Sequence, residues 1–212
     1  MSWIAKENTY LSESEQLKNA QLVANHFVGS DWTKESLSAL IGNMSHESTL
    51  NPDLSEMGYA WADDRGYGLV QWTPRSKYWD WAVSEGLDPR NGDSQLSRID
   101  YEVEKNIQWI ATSKYNVSFK DFRQNTGKWD VDYLTEMFTW CYERPNQYYG
   151  EESLPKRIAF AQKVYKEIDF KGTGSNGGSG SGSGGSGESG GSETSTAIDK
   201  IFHLWLSGVM RW

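Results

Sequence analysis

Beyond Lys171 the chain reads GTGSNGGSGSGSGGSGESGGSETST, and this tract decides how much of the sequence can fold. It carries no side chain from which a core could be built. Residues 171–195 therefore read as a flexible Gly/Ser tether, and roughly 25 such residues span about 25–30 Å r.m.s. as a random coil. The foldable part is confined to residues 1–170, enough for one domain with a single core of ordinary size. After the tether, Thr196 and Asp199 can cap an apolar helix containing Ile198, Ile201, Phe202, Trp205, Val209 and Met210. A helix of that length is marginal alone in water, so residues 196–212 are expected to begin a second domain or to dock on a partner.

Within residues 1–170 the apolar positions recur mostly at helical spacing. Ser12 with Glu15 forms a capping box ahead of Leu17, Ala20, Ala24 and Phe27, and Gly29 stops that helix. A second helix, from Asp31 or Thr33 to about Ser48, holds Leu37, Leu40, Ile41 and Met44 on one face. From Leu50 to Trp72 the pattern breaks into short pieces around Pro52, Gly58, Gly66 and Gly68, which predicts loops and a small hairpin. Thr73-Pro74 opens a helix with Tyr78, Trp81 and Ala82 inward, ending at Gly86. Asp93 caps one with a stripe of Leu96, Ile99, Val103, Ile107 and Ile110. Asp130 opens one through Leu134, Met137, Phe138 and Cys141 that Pro145 ends, and a last helix runs from about Ser153 to Ile168. The domain is expected to be mainly α with a minor β element.

A formal charge of -8 argues against a nucleic-acid partner, whose phosphates are bound through Lys and Arg, and against anionic membranes. No run approaches the roughly 18 apolar residues of a membrane-spanning helix, and the N-terminus lacks the apolar stretch of a signal peptide. Cys141 is the only cysteine, so neither an intrachain disulfide nor a cysteine metal cluster can form. His26 and His203 have no partners at metal-ligand spacing, and no metal or other cofactor is expected. Eleven tryptophans serve a core, and their planar faces also suit sugar rings.

One carboxylate has an unusual address. Glu47 follows Met44 by three residues and Leu40 by seven, which puts it at the end of the apolar stripe of its helix. Withdrawal from water and the negative end of a helix dipole both favour the protonated form of a carboxyl, which is what a general acid requires. Taken alone, a Glu at such a position is more often an ion-paired or boundary residue. His46 should point to another face, toward the surface.

The segment GNMSHESTLNP at 42–52, then GYGLVQW at 66–72, resembles the Glu-Ser signature and the later Gly-Leu-x-Gln segment of goose-type lysozymes and lytic transglycosylases. With YERP at 142–145 the chain more closely resembles the phage tail lysozyme family, over roughly residues 10–168. The resemblance implies a lysozyme-like α+β fold with a small β-hairpin beside the catalytic helix. It also implies that Glu47 is the catalytic acid and that Ser48 and Asn51 shape the turn after its helix. Gly66 and Gly68 are either turn glycines or positions that leave room for a glycan, and Gln71 and Trp72 are expected to line the cleft. Tyr142 and Glu143 are candidates for substrate binding, against core packing for the first and an ion pair with Arg144 for the second. A hydrolase also needs a second carboxylate, and Asp64, not separable from Asp63, is the candidate nucleophile or base; both equally suit an exposed turn.

The activity so implied is hydrolysis of peptidoglycan glycan strands by a tail-borne muramidase, locally degrading the wall from outside during infection, with the bacterial glycan and phage tail proteins as partners. A lytic transglycosylase or a glucosaminidase is the nearest alternative, and a non-catalytic wall-binding tail module is the alternative from another class. A second wall-degrading domain, a peptidase or amidase, is expected beyond the tether.

Overall fold

A computed structural model describes residues 2–171, and the tether and terminal helix expected beyond Lys171 lie outside them. Seven α-helices are found among the described residues. The first, α1 (Glu13–His26), opens as expected: the Ser12 N–H donates to Glu15 Oε2 at 3.0 Å. It buries Ala20, Val23 and Ala24. The second, α2 (Lys34–Ser48), is capped by Thr33, whose hydroxyl oxygen accepts from the Ser36 N–H at 3.2 Å.

Leu37, Leu40, Ile41 and Met44 of α2 are all fully buried, and so are Ala39 and Asn43 on its other faces. The helix is central because α1 and three later helices pack around it, namely α5 (Phe119–Gln124), α6 (Val131–Phe138) and α7 (Gln147–Glu167). Its contact with α7 is the closest. A Cβ on Gly42 would stand 2.6 Å from the Arg157 carbonyl oxygen and 2.7 Å from Ala161 Cβ. Only a glycine at this position lets α7 lie this near, and that approach places Arg157 beside Asn43 and Glu47.

Several expected elements are corrected. The small β-hairpin is not formed: between Leu50 and Trp72 there are only isolated bridges, Ser55 to Tyr67 and Tyr67 to Trp72. The backbone there is satisfied by tight turns and side chains instead of a ladder. The Gly68 N–H reaches the Leu54 carbonyl at 2.9 Å, the Leu69 N–H reaches Gln95 Oε1 at 2.7 Å, and Gln71 adopts φ 49°. The next helix, α3 (Ser76–Ser84), starts after Pro74, because the Thr73 hydroxyl donates to the Gln71 carbonyl rather than capping a helix.

The cap of α4 (Gly92–Lys105) is Asn91, not Asp93, and Asn106 in the left-handed region ends it. Ile107 and Ile110 are therefore not a continuation of its stripe; they are 39% and 57% exposed. The six-residue α5, capped by Ser118 and Asp121, is too short to show a period and was not foreseen. Asp130 does open α6, which widens into a π-helical turn, Thr139–Glu143, and stops at Arg144. The last helix begins at Gln147 rather than near Ser153. Asn146 supplies the cap, and Pro155 lies within the helix instead of marking its start.

Candidate active site

The end of α2, the loop at 69–73 and the turn at 143–146 enclose a cleft of about 340 Å³. Glu47, Gln71, Trp72, Gln108, Glu143 and Arg157 are among its lining. Glu47 sits in the last turn of α2 with its side chain 17% exposed, and its Oε1 accepts from Arg157 Nη2 at 2.6 Å. Arg157 is buried inside the domain. Its Nη1 donates to Asn43 Oδ1 at 2.9 Å and its Nε to Ser153 Oγ at 3.1 Å, while the Thr139 hydroxyl shares the same Asn43 oxygen at 2.9 Å. The guanidinium is thus held by α2 and α7 directly, and by the π-helical turn through Asn43, before it meets Glu47.

Glu143 closes the π-helical turn on the other side. Its Oε1 is out of contact with solvent and has no hydrogen-bond partner among the described residues. Burial pushes its carboxyl well above the usual range; the negative charges of Glu47 and Glu102 push in the same direction, while Arg157 and Arg144 oppose them. The expected ion pair with Arg144 is not made. The Arg144 Nη1 donates to the carbonyls of Gln108, Cys141 and Tyr142, tying the turn to the segment after α4. Glu143 thus favours its protonated form in the cleft that also holds the Glu47–Arg157 ion pair.

The remaining sequence candidates fall into two groups. Gln71 lines the cleft and donates to the Leu54 and Gly68 carbonyls, both at 3.0 Å. Trp72 also borders it, but its ring is buried, stacked on Tyr78 at 4.5 Å between centroids, with Nε1 bonded to Glu102 at 3.0 Å. Among the described tryptophans Trp32, Trp72 and Trp109 are buried and the others are partly buried.

Other candidates support the cleft from behind. Ser48 is fully buried and donates to the Leu69 carbonyl at 2.9 Å, joining α2 to the cleft loop. Asn51 is buried too and bonds the Lys6 and Thr9 carbonyls, holding the N-terminal segment. Gly68, at φ 78°, lets the Gln95 amide approach to where a Cβ would lie 2.6 Å away. Tyr142 is fully buried with its hydroxyl on Glu102 Oε2 at 2.6 Å. Asp63 and Asp64 are 84% and 80% exposed, pair with Arg75 and Arg65, and are not part of the cleft wall. His46 is a correction: it is 7% exposed, and burial first, then Arg157 and Lys156, keep it neutral.

Arg157 and Glu102 were missed, although a signal existed for each. Arg157 lies in a stripe of small and apolar residues with Gly150, Ser153, Ala161 and Val164, all buried. Glu102 follows Ile99 by three residues on the buried face of α4. A charge inside such a stripe must find a partner.

A larger hollow, about 650 Å³, lies between Trp129 and Tyr165. Its acids are occupied in holding the fold: Asp132 accepts from Gln162 at 2.7 Å, Glu35 from the Tyr165 hydroxyl at 3.1 Å, and Asp130 caps α6. The smaller cleft is the one lined by both Glu47 and Glu143.

The family model for phage tail lysozymes matches residues 18–168. Morphogenesis protein 1 of Bacillus phage B103 is 38% identical over 167 residues, which covers 79% of this chain and 44% of that protein. The chain thus spans less than half the length of this curated relative.

Proposed function

The chain belongs to the phage tail lysozyme family, and from that premise we propose that it is a muramidase of a phage tail, cutting peptidoglycan glycan strands to open the wall locally during infection. The observation that carries this reading is the trio of Glu47, Arg157 and Glu143 in one cleft. Burial favours the protonated form of Glu143, and the buried Arg157 guanidinium is placed to balance negative charge on Glu47.

When a glycan strand fills the cleft, the carboxyl pair gives its proton to the glycosidic oxygen as the bond from C1 to that oxygen breaks. Glu47, whose side chain is 17% exposed on the cleft, is the donor, and Glu143 is the carboxyl that returns a proton to it. Water adds to C1 and its proton returns to the pair, so that atoms and charge balance over one turnover. Gln71 faces the strand from the loop.

A second reading, lytic transglycosylation, is favoured by the exposure of Asp64: with that carboxylate outside the cleft, a sugar hydroxyl of the substrate can take the place of water. Mass spectrometry of fragments released from purified walls separates the possibilities. The proposal expects reducing N-acetylmuramic acid ends. Anhydro ends would replace it with transglycosylation, reducing N-acetylglucosamine ends with a glucosaminidase, and wall binding without released sugar would leave a non-catalytic module.

A further inference from the structure

Glu102 has no place in the steps above, yet it is the most heavily bonded acid in the domain interior. It lies on α4 with its side chain 1% exposed. Its Oε1 accepts from Trp72 Nε1 at 3.0 Å and from Arg98 Nε at 2.8 Å, and its Oε2 accepts from the Tyr142 hydroxyl at 2.6 Å. Trp72 belongs to the loop that forms one wall of the cleft. Tyr142 precedes Glu143, which stands on the other.

We propose that Glu102 is a positioning residue for the cleft, a buried carboxylate that fastens the Gln71-Trp72 loop to the Tyr142-Glu143 turn and so fixes where Glu143 stands relative to Glu47. The proposal rests on the reading of this cleft as the glycan-cleaving site. The donor set explains why the group must be a carboxylate. Trp72 can only donate, the Tyr142 hydroxyl needs an acceptor because it is fully buried, and Arg98 needs a counter-charge. An amide offers one acceptor oxygen and would turn N–H groups toward one of these donors. Burying a charge is costly, and an apolar side chain could fill the same space, so a fold needing only volume here would not retain an acid.

The position has an electrostatic consequence too. Glu143 is faced by Glu47 from α2, Arg157 from α7, Arg144 from its own turn and Glu102 from α4. Glu47 and, once ionised, Glu102 oppose ionisation of Glu143, and the two arginines favour it; burial pushes the Glu102 carboxyl up, against the Tyr142, Arg98 and Trp72 donors.

The test uses Glu102→Gln and Tyr142→Phe in the full chain. On soluble glycan strands, Glu102→Gln is expected to lower kcat by about 10- to 100-fold with KM nearly unchanged, as misplacement of a reacting group does. The alkaline limb of its pH–rate profile is expected to move to lower pH, because one negative charge facing Glu143 is gone. A fall in rate matched by the loss of folded protein, with the limb unmoved, would overturn the proposal. Tyr142→Phe, which keeps the charge and removes one hydroxyl, should lower kcat and leave the limb in place; a rate equal to the parent's would count against the clamp. A readout independent of activity is the Trp72 indole N–H, assigned in ¹⁵N spectra through Trp72→Phe. Its exchange with water should accelerate in Glu102→Gln, and unchanged exchange would refute the clamp. If the parent releases no sugar, the muramidase reading fails while this last measurement still decides the role of Glu102.

Discussion

Glu143 is the residue whose behaviour differs most from its place in the sequence. Next to Arg144 it reads as half of a surface ion pair, but Arg144 turns to backbone carbonyls and leaves Glu143 facing Glu47 across the field of Arg157. Its folded-state pKa lies above the ordinary 4.5. Above that pH the unfolded chain loses a proton that the native state keeps, so the stability linked to Glu143 is fully present below about 4.5 and is lost as pH rises through the raised value. Urea unfolding across that interval should show stability falling toward alkaline pH, with a shallower fall in Glu143→Gln. Equal slopes in the two proteins would contradict the assignment. Glu47 was legible because helical spacing places it after Leu40 and Met44. Its partner was not, because nothing local joins residue 47 to residue 157. That pairing comes from the crossing of two helices. Asp64 shows the reverse case: two adjacent acids before an arginine fit both a catalytic loop and an exposed turn, and the chain places them at the surface.

At the scale of elements, the crossing of α2 and α7 sets the geometry. Gly42→Ala introduces a Cβ that meets the Arg157 carbonyl oxygen and Ala161, so the helices must separate. Thermal or urea unfolding is expected to show a loss of about 1–3 kcal/mol from this overpacking, and wall cleavage should fall beyond the loss of folded protein because Arg157 moves away from Glu47. Arg157→Ala removes the partner of a mostly buried carboxylate and the donor to Asn43, and a loss of roughly 3 kcal/mol is expected by the same unfolding measurements. A loss below about 1 kcal/mol would show that the pair behaves as a surface ion pair does. Helices with clear local start signals, α1, α2 and α6, were readable at their N-termini. The misreadings cluster where local signals conflict. The last helix reads as starting near Ser153 although Asn146 caps it, Asp93 stands two residues after the residue that caps α4, and the glycines at 66 and 68 resemble a hairpin although the chain there satisfies its backbone through Ser48, Gln71 and Gln95.

Over the whole molecule, the Gly/Ser composition beyond Lys171 leads to the expectation of a domain confined to residues 1–170, and the family model matches residues 18–168. Tertiary pairing was the part that a single sequence could not supply. The proposed reaction uses the cleft beside Glu47 and not the larger hollow beside Trp129. Gln162→Ala, in the larger, should therefore leave wall cleavage at the parent rate in a turbidity assay, and a drop exceeding the loss of folded protein would move attention to the Trp129 side. The central claim is that Glu47 supplies the proton. It is tested most directly by sugar release from purified walls with Glu47→Gln, whose fold should survive because the amide oxygen can still accept from Arg157. Release at least about 100-fold slower than the parent, with unfolding close to the parent's, is the predicted result; release at the parent rate would contradict it.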